Sequence, residues 1–214
     1  MKKWLIGIAF LFTFFCLFYS KANVTDIVCI ALDAGHGGVD GGASVGDVKE
    51  SDITLAIVLK AKEVFEKNGI NVILTRETKD DLCDDEFVKR EDMSKRVKKI
   101  HDSDAQLLLS IHLNKFSIER YRGAQVFYSK TNELNKYLAD RIQDNLIKFL
   151  NNTDRKIVQR DNIFLLNKVT IPSCIVECGF MSNQEELKLL QTEEYQYKMA
   201  YALLYGVEDY LKLN

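Results

Sequence analysis

Short apolar runs alternate along this chain with longer segments whose apolar residues recur at helical spacing. The short runs are typical of buried strands, and the recurrence is typical of amphipathic helices. We predict strands at residues 27–32, 71–75, 105–112, 124–129, 162–166 and 173–178. We predict helices at residues 53–65, 87–101, 134–150, 185–190 and 195–211. Such alternation predicts an α/β fold with one sheet covered by helices on both faces.

The N-terminal segment differs in character from the rest of the chain. Two lysines precede an apolar run at residues 4–19, which as a helix would span about 24 Å. A membrane span needs about 20 residues, so this run is more typical of the core of a secretory signal. Small residues then follow at the positions that a signal peptidase reads. We predict that residues 1–22 are a signal peptide or a short membrane anchor and that residues 23–214 form an exported domain.

Composition places the exported part among ordinary globular domains. The 214-residue chain is 47% hydrophobic and 28% charged, with a formal net charge of -2. Removing the leader leaves about 190 residues, enough for one domain with a sizeable core. No basic excess marks a nucleic-acid-binding protein, and we expect no nucleic-acid partner.

The cysteines of the predicted domain do not form an evident disulfide framework. Cys174 and Cys178 lie four residues apart in one predicted strand, so their Cα atoms should be about 13 Å apart, beyond the reach of a disulfide. Cys29 also falls in a strand, and Cys83 falls in a polar loop. Unpaired cysteines in an exported protein favour a weakly oxidising habitat; a Cys29–Cys174 bridge would overturn this hypothesis.

Three polar residues mark the ends of predicted strands. His36 follows the first strand, and His112 and Glu177 close two later apolar runs. Ligands of open α/β sheets bind beyond the carboxyl ends of the strands, so parallel strands would bring these side chains together. A histidine at such a position is more often structural. A buried carboxylate is costly without a partner, and a salt bridge would explain Glu177 as well as a catalytic role does.

Glu50 is a fourth candidate. It lies just before the helix that begins near Ser51, where an acidic residue is favoured whatever the function. The glycine-rich loop at residues 35–46 is predicted to bend the chain back toward His36. Catalytic zinc commonly takes three protein ligands and one water. His36, Glu50 and His112 fit that pattern, with Glu177 as the general base beside the water.

Two other motifs in the same loop are weak. Residues 42–46 match the G-x-S-x-G pattern of serine hydrolases around Ser44, but that pattern needs a strand immediately before it and a helix immediately after. The glycines from Gly35 to Gly38 are similar to a dinucleotide-binding loop, but Asp40 stands at the position of its third glycine.

Five blocks of sequence resemble the zinc-dependent N-acetylmuramoyl-L-alanine amidases of type 3. The blocks, in the order of the family, are residues 32–43 (LDAGHGGVDGGA), 49–55 (KESDITL), 74–80 (LTRETKD, with Arg90 and Arg96 downstream), 110–114 (SIHLN) and 172–183 (PSCIVECGFMSN). The resemblance implies a mixed, mostly parallel six-stranded sheet and one Zn²⁺. It implies that His36, Glu50 and His112 are the ligands, that Glu177 is catalytic, and that the amide between N-acetylmuramic acid and L-alanine of peptidoglycan is cut.

The short form of the chain is similar to the sporulation amidases of this family. That similarity implies a role in spore cortex maturation on which germination depends, outside the cytoplasmic membrane and around the forespore. The chain shows no separate wall-binding domain, so we expect a protein partner that activates it or completes metal binding. For substrate contacts we expect polar and basic residues after the metal-site strand and near the last strands, namely Asn114, Lys115, Arg120, Arg122 and Arg160, with Arg155 and Lys156 nearby.

Two alternatives remain at this point. A zinc peptidase acting on wall peptides would use similar residues. A peptidoglycan-binding module without catalysis would keep the fold, although the intact Glu177 argues against it.

Overall fold

A mixed six-stranded sheet runs through the computed structural model, which describes residues 28–212. The strands are β1 (Cys29–Ala34), β2 (Ser44–Val45), β3 (Val48–Lys49), β4 (Asn71–Leu74), β5 (Leu107–Asn114), β6 (Gln125–Tyr128), β7 (Val158–Gln159) and β8 (Ser173–Phe180). The helices are α1 (Glu50–Lys67), α2 (Lys89–His101), α3 (Leu134–Leu150), α4 (Phe164–Lys168), α5 (Gln184–Leu190) and α6 (Glu193–Leu211). The predicted leader lies outside the described residues.

The sheet has the strand order β4–β1–β5–β8–β6–β7. The four strands β4, β1, β5 and β8 are parallel to one another. Strand β6 is antiparallel to β8, and β7 is parallel to β6. The predicted α/β class and the mostly parallel six-stranded sheet are confirmed. The carboxyl ends of β1, β5 and β8 therefore meet at one edge.

Helices cover both faces of the sheet. Helices α1, α3 and α6 pack on one face, where alternate strand residues such as Leu107 and Leu109 enter the larger core. Helices α2 and α4 pack on the other face, against Ala31 and Leu108. This alternation follows from the two-residue period of a strand. Among residues 28–212, no helix combines the length and the apolar character needed to cross a membrane.

The predicted strand at residues 162–166 is wrong. Phe164–Lys168 form the short helix α4, and the edge strand β7 lies earlier, at Val158–Gln159. A short apolar run does not by periodicity alone distinguish a strand from a buried helix. Here Leu165 and Leu166 are buried, while Phe164 remains 38% exposed.

A small antiparallel hairpin, β2–β3, lies where the sequence predicts only a bent loop. Its turn contains Gly46 in the left-handed region, with φ +57°, which glycine adopts without steric cost. The Glu50 amide donates to the Ala43 carbonyl at 2.8 Å, which closes the hairpin onto the start of α1. Ser44 lies within this hairpin and not at the strand-to-helix turn that a serine nucleophile requires.

The four cysteines of the described chain are free thiols. Cys174 and Cys178 both lie in β8, as expected, and do not bridge. Cys29 in β1 is not bonded to Cys174, because β5 lies between their strands. The weakly oxidising habitat remains a hypothesis.

Candidate metal centre and active site

The carboxyl edge of the sheet brings the four predicted residues together. His36 follows β1 by two residues, while His112 and Glu177 lie directly opposite each other on β5 and β8. Glu50 is the first residue of α1 and reaches the same edge because the β2–β3 hairpin turns the chain back.

Glu50 is fixed by the backbone around it. Its side chain is 3% exposed. Oε2 accepts a hydrogen bond from the Ala43 amide at 2.9 Å, and Oε1 accepts one from the Leu113 amide at 3.0 Å. These two backbone hydrogen bonds fix the orientation of the carboxylate.

Both histidines lie against this carboxylate. His36 Nε2 is 3.3 Å from Glu50 Oε2, and His112 Nδ1 is 2.9 Å from Glu50 Oε1. One ligand atom from each of the three residues lies within 4.8 Å of the others. Burial raises the pKa of Glu50, but the hydrogen bonds and charges of the two histidines outweigh it and hold that pKa well below its usual range. A cluster of two imidazoles and one carboxylate at this spacing fits a zinc ion in chemistry and in size.

Asp40 orients the first histidine. Its Oδ2 lies 3.0 Å from His36 Nδ1, on the side of the ring away from Glu50. A hydrogen bond from Nδ1–H to a carboxylate leaves the Nε2 lone pair facing the cluster, as in many metal-bound histidines. Burial lowers the pKa of His36, but Glu50 and Asp40 outweigh it and raise that pKa. The sequence pattern did not single out Asp40 for this role.

Glu177 faces the cluster without a partner of its own. Its Oε2 is buried and has no hydrogen-bond partner among the described residues. Burial raises the pKa of Glu177 to about 7; the Glu50 carboxylate adds to the rise, and His112 and His36 oppose it. An unsatisfied buried oxygen is costly, so the structure does not support the salt bridge that the sequence left open. A carboxyl group with a raised pKa beside such a cluster is chemically able to take up and release a proton.

A cavity of about 320 Å³ opens on the β6 side of Glu177, and we call it the β6-side cavity. Of the predicted substrate contacts, Asn114 and Arg160 line it. Lys115, Arg120 and Arg122 do not; the Lys115 ammonium donates to the Ser44 carbonyl instead. Of the two basic residues expected nearby, Arg155 lines the cavity and Lys156 does not. The sequence pattern did not single out Gln125, Tyr121 and Phe180, which also line it.

A second cavity, of about 220 Å³, lies on the other side of the two histidines, and we call it the α4-side cavity. Phe164 of α4 and Met93 of α2 form its apolar wall, with Lys89 nearby. The sequence could not have placed Phe164 here, because the segment was predicted as a strand. The His–Glu–His cluster and Glu177 thus lie between two cavities.

Fold and site together define an α/β protein with a His–Glu–His cluster at the carboxyl edge of its sheet, a ligand set typical of metal-dependent hydrolases. The chain belongs to the N-acetylmuramoyl-L-alanine amidase family, whose sequence profile matches residues 30–209. The predicted family is confirmed, and with it the reaction: hydrolysis of the amide between N-acetylmuramic acid and L-alanine in peptidoglycan.

Individual relatives agree with this assignment. The chain is 40% identical over 186 residues to a germination-specific N-acetylmuramoyl-L-alanine amidase of Bacillus subtilis, covering 85% of this chain and 78% of that protein. The fold of this chain matches that of the CwlD amidase of Clostridioides difficile, which is solved in complex with the GerS lipoprotein. The TM-score is 0.81 and the identity is 41%, and the match covers 87% of this chain and 100% of that one. The amidase AmiC2 of Nostoc punctiforme is 28% identical, with a TM-score of 0.74 over 86% of this chain and 97% of that one.

Proposed function

We propose that this amidase depends on one zinc ion held by His36, Glu50 and His112, with Glu177 as the catalytic acid and base. The observation that carries the proposal is the gathering of three ligand atoms within 4.8 Å of one another beside a buried, unpartnered Glu177 oxygen. A bound zinc ion supplies a Lewis acid that polarises the scissile carbonyl.

The protein's own groups prepare the site for that ion. The Ala43 and Leu113 amides hold the Glu50 carboxylate, and Asp40 holds the His36 ring. Such supporting contacts keep metal ligands in the geometry that binding needs.

Glu177 moves the proton in this proposal. It accepts a proton from the attacking water and returns it to the amide nitrogen as the carbon–nitrogen bond breaks. The products are a free lactyl carboxylate on the sugar and a free amino group on L-alanine. A carboxylate serves both steps best when its pKa is near the working pH.

We propose that the reaction serves spore cortex maturation and, through it, germination. This role is supported by the similarity to the germination-specific amidase of Bacillus subtilis, of which the chain covers 78%. The similarity to the CwlD amidase, whose whole length is matched, supports it too.

Residues 1–22 would then export the domain at residues 23–214, as a cleaved signal or as a short anchor that tethers it to the membrane. The substrate lies outside the cytoplasmic membrane, and we place the enzyme there, around the forespore. The CwlD amidase is solved in complex with the GerS lipoprotein, which supports a protein partner for this chain. We propose that this partner lies outside the membrane and activates the enzyme.

The test is a digest of purified peptidoglycan by the full chain, with zinc content measured on the same sample. We expect new L-alanine amino termini, at a rate that falls about 100-fold or more in Glu177→Gln while zinc is retained. Glu185→Gln, an exposed acid of α5, is the matched control and should behave as the wild type. A peptidase would leave the lactyl bond whole, and a binding module would show no difference between wild type and Glu177→Gln.

A further inference from the structure

We propose that the β6-side cavity binds a carboxylate of the substrate's peptide, with Arg160 as the residue that contacts it and Arg155 adding positive charge. This inference rests on the proposed function, since it assigns one side of the same active site. The peptide part of the substrate then lies on the β6 side of Glu177, and the sugar part lies on the α4 side.

Neither arginine of this cavity is paired directly with an acidic residue of the described chain; Arg155 interacts electrostatically with Glu186, which does not line the cavity. Among residues 28–212, neither Arg155 nor Arg160 forms an ion pair, whereas Arg122 lies 4.0 Å from Glu185 and Arg96 pairs with Asp33. Glu177 is the only acidic residue that lines the cavity. The cavity is therefore positively charged and open to an anion.

Aromatic rings hold both guanidinium groups in place. The Arg155 guanidinium carbon lies 4.7 Å from the centre of the Phe180 ring, and its Nε donates to the Arg122 carbonyl at 2.9 Å. The Arg160 guanidinium carbon lies 5.3 Å from the centre of the Phe127 ring. Cations over aromatic faces are attracted to them, and a pre-positioned guanidinium loses less entropy when it binds a carboxylate.

The charges of the substrate decide which part enters this cavity. Peptidoglycan peptides carry free carboxylates, whereas N-acetylated sugars are uncharged. The peptide side therefore fits the β6-side cavity. The sugar side then faces the α4-side cavity, whose wall contains Phe164 and Met93.

Strand geometry indicates which carboxylate Arg160 reaches. Gln125 lies directly opposite Glu177. Phe127, whose ring lies under the Arg160 guanidinium, is two residues further along β6. Two residues of a strand advance about 7 Å, and an extended peptide covers that distance in about two residues. The carboxylate is then that of the second peptide residue, D-glutamate, and not one at the far end.

The experiment compares two substrates that differ in one group. N-acetylmuramoyl-L-alanyl-D-glutamate has a free α-carboxylate on D-glutamate, and the D-isoglutamine form has an α-carboxamide of the same shape; both keep the γ-carboxylate. We expect kcat/KM of the wild type to be about 10–100-fold higher for the D-glutamate compound than for the D-isoglutamine compound. In Arg160→Gln the ratio of the two kcat/KM values should fall close to one.

Lys156→Gln is the control, because Lys156 is exposed, lies between the two arginines in sequence and does not line the cavity. It removes the same charge and should keep the wild-type ratio. If Lys156→Gln lowers the ratio as much as Arg160→Gln, the preference is long-range and the subsite is refuted. An unchanged ratio in Arg160→Gln, or a wild-type ratio of one, also overturns it.

Binding separates this inference from the proposed function. In Glu177→Gln, calorimetry of both compounds should show the same preference, and Arg160→Gln in that background should abolish it. If the wild type cleaves neither compound but this preference in binding is found, the proposed function fails and the subsite stands. If the preference is absent from binding, the subsite fails whatever the activity.

Discussion

The Arg96 guanidinium donates from Nη2 to the backbone carbonyl of His36 at 2.6 Å. The same side chain donates to the Ala34 carbonyl, and Arg76 donates to the Gly35 carbonyl at 3.0 Å. Three successive carbonyls, that of the last residue of β1 and the two that follow it, are thus held by two buried arginines. His36 needs that support, because its φ of +61° lies in the left-handed region that residues other than glycine rarely adopt.

Arg96→Lys should therefore weaken zinc binding. A lysine keeps the charge but does not have the planar fork that reaches several acceptors at once. We expect zinc affinity to fall about 10–100-fold, as for other groups that orient a metal ligand. Competition with a chromogenic chelator, well below the unfolding temperature, measures the affinity.

The matched control for this change is Arg90→Lys. Arg90 lies on the same helix and is exposed, so its replacement should leave zinc affinity unchanged. A wild-type affinity in Arg96→Lys would show that the arginine stabilises the fold without positioning the metal ligand.

Gly35→Ala tests the packing of the other histidine. A Cβ at Gly35 would lie 2.4 Å from Cε1 of His112, too close for the ring to stay in place. The backbone of Gly35 is not in the left-handed region, so the effect is steric contact with the ring. We expect at least about a tenfold loss of zinc affinity, with a loss of about 1–3 kcal/mol in the free energy of unfolding.

Gly41→Ala, in the same loop, is the comparison. Its Cβ would first meet the flexible Lys49 side chain, at 3.1 Å, which moves at little cost. Equal zinc affinities for Gly35→Ala and Gly41→Ala would mean that the His112 ring is not fixed in the position described. Isothermal titration with zinc and urea unfolding give both quantities.

The sequence predicts the sheet edge well because apolar runs mark strand ends locally and the alternation of strands with helices predicts parallel pairing. The apolar runs before His112 and Glu177 identify buried strands, and parallel pairing then forces those two residues to face each other. Glu50 is harder, because an acidic residue at a helix start has an ordinary explanation. Only the path of the β2–β3 hairpin shows that it reaches His36.

The remainder of the site depends on packing between distant segments. Arg96 is 63 residues away from Asp33 in sequence, and Asp40 has no motif that marks it as a partner of His36. The same limit explains the misassigned strand at residues 162–166. Whether this apolar run forms a strand or a helix depends on the face of the sheet against which it packs. Gln125 enters the β6-side cavity from the antiparallel strand β6, and Arg155 enters it from the loop before β7, where its side chain contacts Gln125. No local pattern predicts the placement of Gln125.

Thiol reactivity should follow burial. Cys83 is partly exposed, whereas Cys29, Cys174 and Cys178 are buried. Burial raises the pKa of Cys174 and Cys178, and the thiolate is the reactive form. In the native protein we expect a maleimide to label Cys83 rapidly and the buried three only as fast as the domain unfolds. Mass spectrometry of the labelled peptides identifies each site. Labelling of Cys174 at the rate of Cys83 would contradict this burial.

Asp33 should make the fold sensitive to acid. Its carboxylate is 2% exposed and accepts from Arg96 Nη1 at 2.8 Å and from the Ser110 and Thr75 hydroxyls at 2.6 Å. Burial raises the pKa of Asp33, but the charge of Arg96 and these hydrogen bonds outweigh it and lower that pKa to about 2.

A carboxylate whose pKa is lower in the folded chain stabilises the fold above its unfolded pKa, near 4, and this contribution is lost as the pH falls from about 4 to 2. For Asp33 it amounts to roughly 2 kcal/mol. Urea unfolding with a chelator present, which removes the effect of zinc release, measures the free energy of unfolding from pH 5 to pH 2.

Asp33→Asn should be about 3–5 kcal/mol less stable at neutral pH, because Arg96 loses a buried partner. It should also lose less stability on acidification than the wild type; parallel curves would show that Asp33 does not titrate with folding.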